Sequence, residues 1–300
     1  MPTLLWIPST LVAGSAQVLR NGMQARLTRE IGTLGATQVR FVYGLPFALI
    51  FWLAAWAIVG GSLPRFTDAS IGYALLGAVT QIAATALMLI AMAQRAFGVA
   101  YAYIKTEPVL VALFGVLLLG DHLDLLAWLG IVVTTAGILV ISVDPRGWGS
   151  LVTEWKPMAI GIASGAFFGL ASVAFRGAIV AMDGGGPFLR ALTVMVVVLI
   201  VQCLLLGAWL AMRDRAAFFG SLRLWRQSIG AGFMGALATA CWNVALSLTI
   251  AANVRTLGVG EMPIAGWLNH RISGTPLTSR EWAGTLIVMA GIGLLMSQAL

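Results

Sequence analysis

Ten apolar stretches, each long enough to cross a bilayer as a helix, divide this chain at about 4–25, 34–60, 69–92, 97–119, 125–143, 157–180, 187–211, 228–250, 252–272 and 281–299. A helix needs about 20 residues to cross the hydrocarbon core. Lipid offers backbone amides no partner, so a spanning segment either bonds to itself as a helix or closes into a barrel. Barrel strands alternate in polarity over about ten residues, and a run such as ALTVMVVVLIVQCLLLGAWL does not alternate. The chain therefore reads as an all-α polytopic membrane protein with ten transmembrane helices. Its charge content agrees: 10% of residues are charged, against about 25% in a soluble domain, too few to cover a surface facing water. The longest polar breaks, 144–156 and 212–227, leave no room for a soluble domain. Cys203 and Cys241 both fall within spans and read as small core residues.

Basic residues near span ends collect on the cytoplasmic side of a membrane. Arg26, Arg29, Arg95, Arg146, Lys156, Arg213, Arg215, Arg223, Arg226, Arg271 and Arg280 fall in odd-numbered loops, and only Arg65 falls in an even-numbered one. The odd loops are expected inside and both termini outside, in a multi-pass protein of the cytoplasmic (inner) membrane. The net charge of +7 then reflects topology and contact with anionic lipid head groups. No nucleic-acid motif accompanies it.

The second half of the chain echoes the first. Glu107 and Glu261 are 154 residues apart, and the same offset pairs Gly120 with Gly274, Leu123 with Leu277, Trp128 with Trp282, Gly130 with Gly284, Gly137 with Gly291 and Thr85 with Thr239. Pro108 and Pro263 are one position out of register, and Arg40 pairs with Arg190 at an offset of 150. Two units of five spans follow, 1–150 and 151–300. Five is odd, so the second unit enters the membrane from the opposite side. Inverted repeats of this kind build secondary transporters that alternate between outward-open and inward-open states. An inert scaffold left by gene duplication is the alternative.

The closing segment of each half, GDHLDLLAWLGIVVTTAGILVIS and GTPLTSREWAGTLIVMAGIGLLMS, resembles the end of EamA-type domains in the drug/metabolite transporter superfamily. In those domains a glycine, often an acidic residue, a leucine and a small polar residue precede a glycine-rich last helix; Thr275 stands here at the acidic position. The prolines of the fourth and ninth spans are similar to that family's as well. The resemblance implies an exporter or exchanger of small metabolites, with a central cavity lined by both halves.

The stretch KTEPVL (105–110) places charge where lipid tolerates it least. Glu107 lies about ten residues, or about 15 Å, into its span, and Glu261 is placed similarly in the ninth. An ionised carboxylate facing lipid at that depth costs several kcal/mol, so each must face a partner, a wet cavity or hold a proton. Proton coupling and a structural ion pair are both open. Lys105 is two residues from Glu107, about 200° around a regular helix, so the glutamate's partner is expected from another helix. Pro108, and Gly260 with Pro263 around Glu261, favour breaks in these helices, where transporters expose backbone to substrate; a simple proline kink is the alternative.

Six basic residues fall within spans. Arg20, Arg40, Arg176 and Arg190 lie near span ends, from where long stems reach head groups; Lys105 and Arg255 lie deeper. Their positive charge suits a substrate with a carboxylate or other anionic group. Gln81, Tyr101, Tyr103, Trp242 and Asn243 are candidates to line the same cavity, with Tyr101, Trp242 and Asn243 singled out. The two histidines, His122 and His270, form no metal-spaced cluster and no nucleophile elbow is present. The expectation is a secondary transporter with no cofactor and no metal. Its partners are a small-molecule substrate and the bilayer, not nucleic acid, and homo-oligomerisation is left open. A channel or lipid translocase, and an intramembrane enzyme, are the alternatives.

Overall fold

The computed structural model describes residues 2–94, 103–104, 107–142, 155–260 and 278–299. After a 3-10 turn at Pro2–Leu5, the helices run α1 (Trp6–Val59), α2 (Asp68–Gln94), α3 (Glu107–Leu119), α4 (Leu125–Ser142), α5 (Trp155–Val180), α6 (Pro187–Arg213), α7 (Arg215–Arg223), α8 (Trp225–Leu248), α9 (Ala251–Gly258) and α10 (Ser279–Ala299). No strand occurs among the described residues. Five helices are long and apolar enough to cross a membrane, and α3, α4 and α10 contain shorter apolar segments. Leu117, Leu204 and Leu286 stay largely exposed on helix faces. In water such faces would associate, whereas lipid solvates them. The protein is an all-α, multi-pass membrane protein.

The first two expected spans join without a loop. α1 is 54 residues long, about 80 Å if straight and far more than a bilayer core spans. Gly32, at φ 71° and ψ 172°, interrupts it; positive φ is a conformation that glycine adopts without a Cβ clash. The Gln24 side-chain amide donates to the Ala36 carbonyl at 2.9 Å, so the chain doubles back at Gly32. The polar break expected at 26–33 thus stays helical up to the glycine. The break at 212–227 likewise holds a short helix, α7, capped by the Asp214 carboxylate accepting from the Ala217 amide.

Three helix pairings dominate the packing, and each joins the first half of the chain to the second: α1 with α8, α2 with α5, and α4 with α10. Glycines let α4 and α10 touch. A Cβ on Gly130 would lie 2.8 Å from the Gly291 carbonyl oxygen, and one on Gly137 would lie 2.9 Å from that of Gly284. Reciprocally, a Cβ on Gly291 would meet the Gly130 oxygen at 2.7 Å, and one on Gly284 the Gly137 oxygen at 2.9 Å. The early position of one helix meets the late position of the other, so the pair is antiparallel.

One end of the bundle is tied together. Arg65 and Asp183 exchange backbone hydrogen bonds of 2.8 and 3.0 Å, joining the loop before α2 to the loop after α5. The Thr67 hydroxyl donates to the Ala181 carbonyl beside them. At Gly185 φ is 63°, and a Cβ there would fall 2.6 Å from the Pro64 ring, so this close approach requires glycine.

Candidate functional site

A cavity of about 10 Å³, room for about one water molecule, lies among α1, α2, α5, α8 and α9. Arg40, Gln81, Trp242, Asn243 and Arg255, all named from sequence, line it together. Gln17, Phe168, Phe175, Thr239 and Leu246 complete the wall. Sequence reading named Thr239 only as a repeat match and missed the other four. Gln17 carried a usable signal, because an amide in mid-span is costly in lipid unless it faces a partner or a cavity. Phe168 and Phe175 are two turns apart on α5 and so share one face.

Arg40 is 4% exposed. Its Nη1 donates to the Thr85 hydroxyl at 2.9 Å, and Thr85 donates in turn to the Gln81 carbonyl one turn back. The hydroxyl proton is therefore committed, and a lone pair faces the guanidinium. Arg20 is fully buried, its Nε and Nη2 both donating to Asn21 Oδ1. Gly235 on α8 makes room for both stems: a Cβ there would lie 3.3 Å from Arg20 Cδ and 3.5 Å from Arg40 Cγ. The expectation that Arg20 and Arg40 reach lipid head groups is corrected. Both point into the protein, because the hairpin at Gly32 packs the two segments of α1 against α8.

Glu107, 3% exposed, pairs with Arg255 of α9, whose Nη1 lies 3.4 Å from Glu107 Oε1. The partner comes from another helix, as expected from the sequence. Arg255 also lies over the Trp242 ring, 4.3 Å from its centroid, a cation–π contact strengthened by its burial. A Cβ at Gly258 would strike that ring at 2.5 Å, so the glycine gives the indole its place. Trp242 Nε1 donates to Gln17 Oε1 at 3.0 Å, and Asn243 Nδ2 donates to the Ala191 carbonyl.

Arg190 stands apart. It lies in the first turn of α6, half-buried, and its Nε donates to the Gly184 carbonyl at 2.7 Å. Pro108 is buried and is the second described residue of α3. Gly260 follows the end of α9, its amide donating to the Leu257 carbonyl. Lys105, Tyr101, Glu261 and Pro263 lie outside the described residues.

At the tied end, Arg176 closes a second link. Its Nη1 donates to the Leu246 and Thr249 carbonyls at the end of α8, and its Nε lies 3.9 Å from Asp121 Oδ1 in the loop after α3. Burial pushes the Asp121 carboxyl above its usual range, while Arg176 and His122 pull it back. Among the described residues no group of three or more histidine, cysteine or acidic side chains is placed to hold a metal ion.

Residues 10–143 match the model of the EamA-like transporter family. Over that stretch the chain is similar to an EamA-like transporter domain. That stretch holds Gln17, Arg40 and Gln81 of the cavity's polar wall, and Glu107, the partner of Arg255. No curated protein matches the chain. A solved structure described as "Crystal structure of protein" superposes with a TM-score of 0.64 at 16% identity, covering 96% of this chain and 98% of that one. At that identity the likeness is one of fold, and it runs beyond the EamA-like domain through nearly the whole chain.

Proposed function

We propose that this protein is a secondary transporter that moves a small metabolite bearing an anionic group across the cytoplasmic membrane by alternating access. The EamA-like match supports transport, and Arg40 carries the substrate reading. It is a buried guanidinium on the wall of a central cavity, and the described residues give it a neutral hydroxyl and no carboxylate. A buried charge without a counter-ion is costly, and a bound anion would supply one. On this reading the Thr85 contact holds the empty site in shape.

Two five-span units, 1–150 and 151–300, related by inversion, account for the packing. The α4–α10 seam exchanges equivalent positions, since Gly130 aligns with Gly284 and Gly137 with Gly291, yet Gly130 meets Gly291 and Gly137 meets Gly284. A two-fold relation in the membrane plane produces that reciprocity. With both termini outside, the tied end of the bundle is the outer end. A reporter fused at the C-terminus is then expected to read outside; an inside reading reverses the orientation and leaves the fold untouched.

Glu107 is the coupling candidate of this reading, releasing Arg255 when it takes up a proton. The test is transport in proteoliposomes under an imposed pH gradient, with melting temperature measured alongside. Glu107→Gln is expected to abolish gradient-driven accumulation while keeping counterflow exchange. If Glu107 and Arg255 form only a structural pair, the variant strands a buried cation at about 3–5 kcal/mol and loses folded yield first. A stable Glu107→Gln that accumulates substrate like the parent removes the coupling role. Ohmic flux in place of saturable uptake would favour a channel.

A further inference from the structure

We infer that the cavity selects an organic anion with an apolar body, its carboxylate or similar oxyanion seated on Arg40, Gln17 and Gln81, and discriminates against a substrate carrying an ammonium group beside that anion. The inference rests on the transporter reading and narrows its substrate.

The argument turns on which way two side-chain amides face. An amide offers an acceptor oxygen and a donor NH2 group, and their assignment follows from their partners. The indole Nε1–H of Trp242 can only donate, so Gln17 must present its oxygen to it. Gln202 is fixed the same way: its NH2 group faces the Ala78 carbonyl, an acceptor, at 3.2 Å. That NH2 group also donates to Gln81 at 2.9 Å, so Gln81 too must present its oxygen. Both glutamines line the cavity, both have their acceptor engaged, and the described residues give neither NH2 group a partner. Arg40 adds a guanidinium whose hydrogen bond to Thr85 uses Nη1.

Acceptors on the same wall are scarce. The Gln17 oxygen is engaged by the Trp242 N–H and the Gln81 oxygen by Gln202, while the Glu107 carboxylate, which is not part of this wall, is engaged by Arg255. Asn243 Oδ1 is buried without a partner and closed off from the open space. The Thr239 hydroxyl donates to the Gly235 carbonyl, leaving its lone pairs as the one side-chain acceptor, among the described residues of the wall, that is open to the cavity. Three donor groups against one weak acceptor suit a carboxylate, which accepts about four hydrogen bonds. They leave an ammonium group, with three protons to place, short of partners, and a buried unsatisfied charge is expensive. Phe168, Phe175 and Leu246 supply apolar wall for the rest of the molecule, which the cavity admits only as it widens in the transport cycle.

Three probes with one phenyl body isolate the charge: 3-phenylpropanoate as anion, phenylalanine as zwitterion and phenethylamine as cation. Binding to the purified full-length protein is read from the concentration dependence of its melting temperature. The anion is expected to bind at least about tenfold more tightly than either of the others. Gln81→Glu and Gln17→Glu keep an oxygen for Gln202 and Trp242 while replacing the free donor with an acceptor. Each is expected to weaken 3-phenylpropanoate about 10- to 100-fold. A melting temperature near the parent's without probe shows that the variant is folded, and either variant serves if the other is not. Equal stabilisation by all three probes, tighter binding of phenylalanine or phenethylamine, stabilisation by none, or unchanged anion affinity in the glutamate variants would each overturn the inference. Saturable, gradient-coupled flux of a zwitterion or cation in liposomes would sink the inference and leave the transporter reading standing; absence of saturable flux for any solute would sink that reading itself.

Discussion

Gln81 and Gly235 lie at matching positions of the proposed repeat, 154 residues apart, and differ in what they bring to the cavity. Both lie one turn before a threonine, and in each case that hydroxyl donates to their carbonyl, Thr85 to Gln81 and Thr239 to Gly235, at 2.8 Å. The local device is the same. The side chains differ: Gln81 offers an amide to the cavity, whereas Gly235 leaves space for the stems of Arg20 and Arg40. The arginines diverge further. Arg40 comes eight residues after the break at Gly32 and is buried against Thr85. Arg190, its counterpart at an offset of 150, comes three residues after Pro187 and bonds a loop carbonyl. Depth along the helix separates them, because four or five extra residues move a side chain about 6–8 Å further from the helix start.

The sharpest way to break this comparison is to remove each arginine in turn. Arg40→Gln is expected to lower saturable uptake in proteoliposomes about 100-fold, since a charge-assisted contact to a buried anion is among the stronger interactions a site can make. Arg190→Gln should stay within about threefold of the parent. Equal losses would mean that the two halves contribute alike and that the cavity is not the asymmetric site described.

Where the halves do behave alike, the effect of mutation should be alike and smaller. The α4–α10 seam brings backbone to within contact at Gly130, Gly137, Gly284 and Gly291, where an added Cβ would approach closer than 3.0 Å to backbone atoms. Alanine at any of the four is expected to cost about 1–3 kcal/mol by overpacking, read as a lower melting temperature in detergent. Gly293 on the same helix has nothing within 4 Å of an added Cβ, so Gly293→Ala should leave the melting temperature unchanged or raise it slightly. If Gly291→Ala is as stable as Gly293→Ala, the seam is looser than its geometry implies and the reciprocity of the repeat loses its strongest support.

Much of this was legible in the chain alone, for a physical reason. Lipid leaves backbone groups one local solution, so runs such as Thr193 to Leu210 declare themselves as helices without reference to anything distant, and a repeat offset survives as spacing whatever the fold. Intramembrane charge is similarly conspicuous, which is why Arg40, Glu107 and Arg255 could be named before their surroundings were known. Tertiary structure decided what these groups do. It set Arg255 against Glu107, because their helices are adjacent in space and not in sequence. It folded α1 back at Gly32 and turned Arg20 and Arg40 inward, where hydropathy alone allowed them to reach for head groups. It also settled which atom of Gln17 and Gln81 meets the cavity, since an amide's direction depends on partners on other helices, Trp242 and Gln202, and no local sequence pattern encodes that.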